Sequence, residues 1–159
     1  QPALLEIGEQ FGQAVIESDG TLNRKALGKV IFADPSKRKR LEGILHPKIR
    51  SLMLSRMKAY EEEDPERLVV VDVPLLFESD LSHYFEQVLL VYVPPDVQLK
   101  RLMKRDELTE EEARQRLDNQ MPIEDKKRLA DIVIHNSGTF EETEKQVVHF
   151  LSSLYGKKC

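Results

Sequence analysis

Asp72 closes the stretch "RLVVVD" (67–72), where four apolar residues run straight into a carboxylate. A strand ending this way matches the Walker B arrangement, whose carboxylate holds Mg²⁺ beside nucleotide phosphates, directly or through water. The same pattern suits an aspartate that caps a turn, and the local sequence leaves both open. Leu75, Leu76 and Phe77 then follow where a polar loop is expected. They either meet an apolar part of a ligand or join the core. Glu78 reads as a solvated residue.

Three further groups could do chemistry. In "HPKIR" (46–50), Pro47 is read as starting a helix, so His46 and Arg50 would stand near its N-terminus. Free amides and the helix dipole favour an anion there; an exposed histidine and a surface arginine are the ordinary alternative. In "RLMKRDELTEEEARQRLDNQ" (101–120), Arg101, Arg105, Arg114 and Arg116 lie on a helical pair, with Thr109 as cap and Glu112 at the capping-box position. Arginine supplies planar, multi-donor contacts to the charge that develops in phosphoryl transfer. Such a hairpin after a strand resembles a mobile lid, or an ordinary charged helix pair with i,i+4 ion pairs. Asn136, in "ADIVIHNSGT", could read an adenine edge or simply sit in a turn.

The elements that must position these residues follow from the apolar pattern. A first helix is predicted over 3–16, then a turn at Ser18, Asp19 and Gly20. Asn23 caps a short helix ending at Ile31 or Phe32. Asp34 and Pro35 start another that runs to about Leu45, where His46-Pro47 breaks it. A further helix covers 48–63. The runs 68–71, 88–93 and 132–134 are continuous and β-branched, as strands buried on both faces read. Helices are predicted over 96–105, 109–120, 123–129 and 139–155. Strands alternating with helices make this α/β with a parallel sheet.

The 159 residues suit one domain. A hydrophobic share of 40% allows a core, and the net charge of -4 argues against a nucleic-acid binder. Cys159 is the single cysteine and cannot form an internal disulfide, which fits a reducing cytoplasm. No run reaches the roughly 18 apolar residues of a membrane span, so no membrane association is expected. His46, His83, His135 and His149 are too scattered for a metal-ligand cluster.

Taken in order, "DGTLNRKALG", "LHPKIR", "DVPLLFE" and "ADIVIHNSG" resemble one family, the dephospho-coenzyme A kinases, over nearly the whole chain. The resemblance implies a P-loop NTPase fold of the nucleoside-monophosphate-kinase type. Such a fold has a three-layer parallel sheet, a helical CoA-binding region and a lid. Carried onto this chain, 1–66 would be the acceptor-binding region, 67–93 and 130–159 the core, and 96–122 the lid. The implied reaction is ATP-dependent phosphorylation of the ribose 3′-hydroxyl of dephospho-CoA, with Mg²⁺. Its partners would be these small molecules, in a monomer or weak homo-oligomer. Asp72 would sit near the metal and the acceptor. His46, Arg50, Leu75, Leu76 and Phe77 would line the dephospho-CoA side. Arg105 would be the lid arginine on the phosphates, with Arg101 a weaker candidate, and Asn136 would lie by the adenine.

One departure is large. Family members begin with a strand and a G-x-x-x-x-G-K-[ST] phosphate loop, then a second strand whose acidic motif supplies the base. No Gly-Lys-Ser or Gly-Lys-Thr occurs here. The expectation is therefore an N-terminally truncated kinase, its first two strands missing and about forty residues absent. It would have little or no activity as it stands. The missing first strand would leave 68–71 and 88–93 without their shared neighbour. Two other readings stay open: a kinase of another nucleoside or nucleotide, and a non-catalytic binding module.

Overall fold

The computed structural model describes residues 2–156, apart from the side chains of Pro2, Phe32 and Tyr155. Cys159 lies outside the described residues. The chain divides into two compact units, Gln1–Val71 and Asp72–Cys159.

The first unit is helical. α1 covers Pro2–Phe11, shorter than its apolar pattern suggests. Gly12, at φ 89°, turns the chain out of the helix, and the 3-10 turn Gln13–Val15 follows. Glycine takes this left-handed conformation without the steric cost other residues meet. α2, Arg24–Phe32, starts where Asn23 accepts the Ala26 N–H at 2.8 Å. α3, Pro35–Glu63, starts at Asp34, whose Oδ1 accepts from the Ser36 amide (2.9 Å) and hydroxyl (2.7 Å). Ile7, Val15, Leu27, Leu41 and Ile44 form the buried core, so α3 is fixed by its first third. Lys48 adds an ion pair to Glu6 at 2.5 Å.

α3 corrects one expectation. The helix does not break at His46-Pro47 but runs through Pro47 for 29 residues. A proline inside a helix loses one backbone hydrogen bond and crowds the preceding turn, yet the helix can continue where packing outweighs that cost. Leu41 and Ile44 hold the turn before Pro47 in the core. We expect Pro47→Ala to stabilise the protein by about 2 kcal/mol, since about 3 kcal/mol of helix cost is offset by no more than about 1 kcal/mol from proline's stiffening of the unfolded chain. Urea unfolding followed by helical signal measures this; an unchanged midpoint would show that the helix tolerates Pro47 without strain.

The run 68–71 is a second correction. It has no regular secondary structure and forms no ladder among the described residues, and Val70 is 80% exposed. Apolar β-branched residues favour extended backbone, but a strand also needs a neighbour to take its N–H and C=O groups.

The second unit holds the parallel sheet. β1 (Leu89–Tyr92) pairs with β2 (Ile132–His135), with Leu89 opposite Ile132 and Tyr92 opposite His135. Asp131 fixes the start of the pair: its Oδ2 accepts the Val88 N–H at 2.7 Å, and its own N–H reaches Val88 O. Between the strands lie α4 (Pro95–Asp106), α5 (Glu110–Asp118) and α6 (Ile123–Leu129). α7, Phe140–Gly156, packs against β2. Parallel strands joined through helices make the class α/β, as expected. No helix among the described residues is long and apolar enough to cross a membrane.

Candidate functional site

In the first unit, His46 and Arg50 stand one helical turn apart on α3. With Pro47, Ser51 and Leu54 they line an open groove of about 410 Å³. This changes the physical basis for an anion there. The two residues lie in mid-helix, so the free amides of a helix start are not available to them. What remains is a cationic arginine and an imidazole beside the apolar surface of Pro47 and Leu54.

In the second unit, Asp72 lies in irregular chain just after the apolar run, exposed and without a hydrogen bond among the described residues. An exposed aspartate is a hard oxygen donor of the kind Mg²⁺ takes, and that ion is commonly held by one or two carboxylates plus phosphates and water. No group of three or more metal-ligating side chains is found among the described residues. The donor set therefore fits a metal brought in with phosphates rather than one held in a protein cage.

Residues 74–80 form a wound turn. Ser79 N–H donates to Leu75 O (3.0 Å), Asp80 N–H to Phe77 O (3.1 Å) and Leu81 N–H to Leu76 O (3.0 Å). Asp80 takes a left-handed φ of 52°. Leu76 and Phe77 are half-buried and Leu75 is exposed. Glu78 departs from its solvated reading. Its Oε1 accepts from Lys126 Nζ at 2.7 Å and from the Met121 N–H at 3.0 Å. Burial pushes the Glu78 carboxyl up, but the Lys126 ammonium and the Met121 amide outweigh it and hold it below its ordinary value. Lys126 itself is 8% exposed. Ile123 and Lys126 fall at helical spacing on one side of α6, and that register is the one cue the sequence holds for a buried lysine.

α4 and α5 are joined by three residues. Glu107 turns the chain at φ 53°, and Thr109 and Glu112 complete the expected capping box. Arg105 lays its guanidinium across the Asp106 carboxylate, with Nε to Oδ1 at 2.8 Å and Nη2 to Oδ2 at 3.1 Å. Arg116 reaches the same carboxylate at 2.7 Å. The Arg105 guanidinium holds the Asp106 carboxyl below the usual carboxylate range, and Arg116 adds to this. Arg114 pairs with Glu110 at i,i+4. Arg101 is exposed and makes no polar contact among the described residues. Two arginines therefore converge on one anion at the tip of the α4–α5 pair.

Asn136 follows β2, and its N–H continues the ladder to Tyr92 O at 2.8 Å. Its Oδ1 accepts from the Thr143 hydroxyl at 3.1 Å. The side chain is held from α7 with its amide N–H groups unengaged among the described residues. Tyr92 is anchored too: its hydroxyl donates to Glu124 at 2.6 Å, and Lys127 Nζ lies 4.2 Å from its ring centroid. Neither contact was legible in the sequence.

Comparison with known proteins adds independent observations. A protein-family model described as dephospho-CoA kinase matches residues 1–142. The dephospho-CoA kinase of Shouchella clausii is 49% identical over 152 residues, which cover 96% of this chain and 77% of that protein. That of Enterococcus faecalis is 48% identical over 158 residues, covering 99% and 78% respectively. Among solved structures, dephospho-CoA kinase from Campylobacter jejuni superimposes with a TM-score of 0.73 at 31% identity, over 97% of this chain and 76% of that one. The Thermus thermophilus protein TT1252 superimposes with a TM-score of 0.69 at 32% identity, over 94% and 75%.

Proposed function

The chain belongs to the dephospho-CoA kinase family, and we propose on that footing that it transfers the γ-phosphoryl group of ATP to the ribose 3′-hydroxyl of dephospho-CoA, completing coenzyme A. The bond from the β–γ bridging oxygen to the γ-phosphorus breaks, one to the 3′-oxygen forms, ADP departs and the hydroxyl proton is released. The observation that carries the reading is the family match over residues 1–142.

The residue roles follow from chemistry. Asp72 is the free carboxylate and would hold Mg²⁺. When bound, Mg²⁺ neutralises phosphate charge as it moves toward the leaving group. Arg105 is already arranged as a planar fork on an anion, and a phosphate presents the same oxygen spacing to it. Arg101, one turn earlier on α4 and uncommitted, is the second cation for the nucleotide. Asn136, fixed through Thr143, can donate its amide N–H groups to the adenine edge. His46 and Arg50 offer donors to the charged part of dephospho-CoA, and Leu75, Leu76 and Phe77 offer it apolar surface. We assign 1–66 to acceptor binding, 67–93 and 130–159 to the core and 96–122 to the lid. Cytoplasmic placement, as monomer or weak homo-oligomer, accords with a soluble substrate pair.

The test is turnover by the intact protein. ATP plus dephospho-CoA should yield ADP and coenzyme A one for one, with the new phosphate placed on the 3′-oxygen by mass spectrometry. Adenosine and AMP as acceptors should give far less. ADP release that does not rise when dephospho-CoA is added would overturn the reading.

A further inference from the structure

The 74–80 turn is closed by its own backbone hydrogen bonds, so it holds its shape without outside help. Its place in the second unit is a separate matter. Among the described residues, the polar ties from this turn to other elements run through one atom, Glu78 Oε1. That oxygen meets Lys126 inside α6 and the Met121 amide just ahead of α6. The Lys126 side chain is 10% exposed and that of Glu78 20%, and a largely buried charge that loses its partner is costly, so the contact is more than an exposed surface pair. Leu75, Leu76 and Phe77 immediately precede Glu78, and Met121 lies at the end of the α5–α6 connection.

We propose that Glu78, through its ion pair with Lys126 and its bond to the Met121 amide, is a positioning residue that fixes the apolar 75–77 wall for dephospho-CoA and ties it to the root of the lid. This rests on the function proposed above. Glu78 touches neither substrate in this assignment; it acts through the turn it holds. With the tie cut, the turn keeps its fold but loses its registration, and acceptor binding weakens while the nucleotide side is spared. A shift of the order of an ångström in a substrate wall is enough for a substantial kinetic effect.

The experiment compares Glu78→Gln, Lys126→Met, the double variant and Lys126→Arg in the intact protein. Glu78→Gln should raise KM for dephospho-CoA about tenfold, with KM for ATP within about twofold. Lys126→Met should match it, and the double variant should be no worse than either single change, because both remove one interaction. Lys126→Arg keeps the charge and should stay near wild type. If Glu78→Gln fails to fold because it strands a buried ammonium, the double variant carries the test, since removing both charges together is often neutral for stability. A folded double variant with wild-type KM for dephospho-CoA overturns the proposal. So does an equal rise in both KM values, which marks general loosening. If wild-type protein does not phosphorylate dephospho-CoA at all, the functional reading itself has failed; if it does and the variants leave KM unchanged, only the positioning role has.

Discussion

Asp72→Asn lowers kcat about 10³-fold while leaving the dissociation constant for dephospho-CoA within about threefold. The substitution keeps size and hydrogen-bonding shape and removes one charge. Asp72 makes no hydrogen bond among the described residues, so no structural contact is lost with it. In phosphoryl transfer the protein contributes mainly by positioning and by neutralising charge, and one preorganised charged group at the reacting phosphate is worth on the order of 10²–10³-fold or more. At constant fold, a 10³-fold loss corresponds to about 4 kcal/mol of transition-state stabilisation. The measurements are steady-state turnover, calorimetric binding of dephospho-CoA and a Mg²⁺ titration, whose midpoint should move to higher concentration. Turnover within tenfold of wild type would remove Asp72 from the metal site and return it to a turn residue.

Arg105→Met has the second largest expected effect, a fall in kcat/KM for ATP of about 10²-fold. The methionine keeps much of the aliphatic stem and deletes the fork, and Arg105→Lys should recover only part of the activity because an ammonium cannot make the paired contact. The fold should be spared, since Arg105 is exposed and its partner Asp106 retains Arg116. A melting temperature near that of wild type together with the kinetic loss identifies a role at the phosphates. Equal losses in Arg105→Met and Arg114→Met would argue for general charge instead, because Arg114 is occupied by Glu110.

The parts of the fold that are written locally were legible in the sequence. Asn23, Asp34 and Thr109 announce helix starts by side-chain chemistry that acts within three residues, and each caps where it was expected to. The runs at 88–93 and 132–134 become β1 and β2 because they find each other. The equally apolar 68–71 run shows what composition does not contain: a ladder is a property of two segments, and one segment cannot declare it. Pro47 was read by a rule about single residues, whereas the helix through it is decided by the packing of Leu41 and Ile44. The site divides in the same way. Residue type pointed to Asp72, Arg105 and Asn136 as chemistry. The contacts that hold the surroundings, Glu78 with Lys126 and Arg116 with Asp106, join distant positions and carry no local signature beyond the register of α6.

The sheet also has a preferred side for growth. In the β1–β2 register the backbone groups of His135 point away from β1, and Gln146 takes both: its Oε1 accepts the His135 N–H and its Nε2 donates to the His135 carbonyl, each at 2.8 Å. A side chain from α7 thus imitates a neighbouring strand and blunts that edge against recruitment of a foreign one. On the opposite edge, the outward amides and carbonyls of Leu89 and Val91 find no such mimic among the described residues. Val133, the other outward residue of β2, has no such cover among the described residues, so Gln146 protects that edge at its His135 end only, and β1 is the less protected edge of the two.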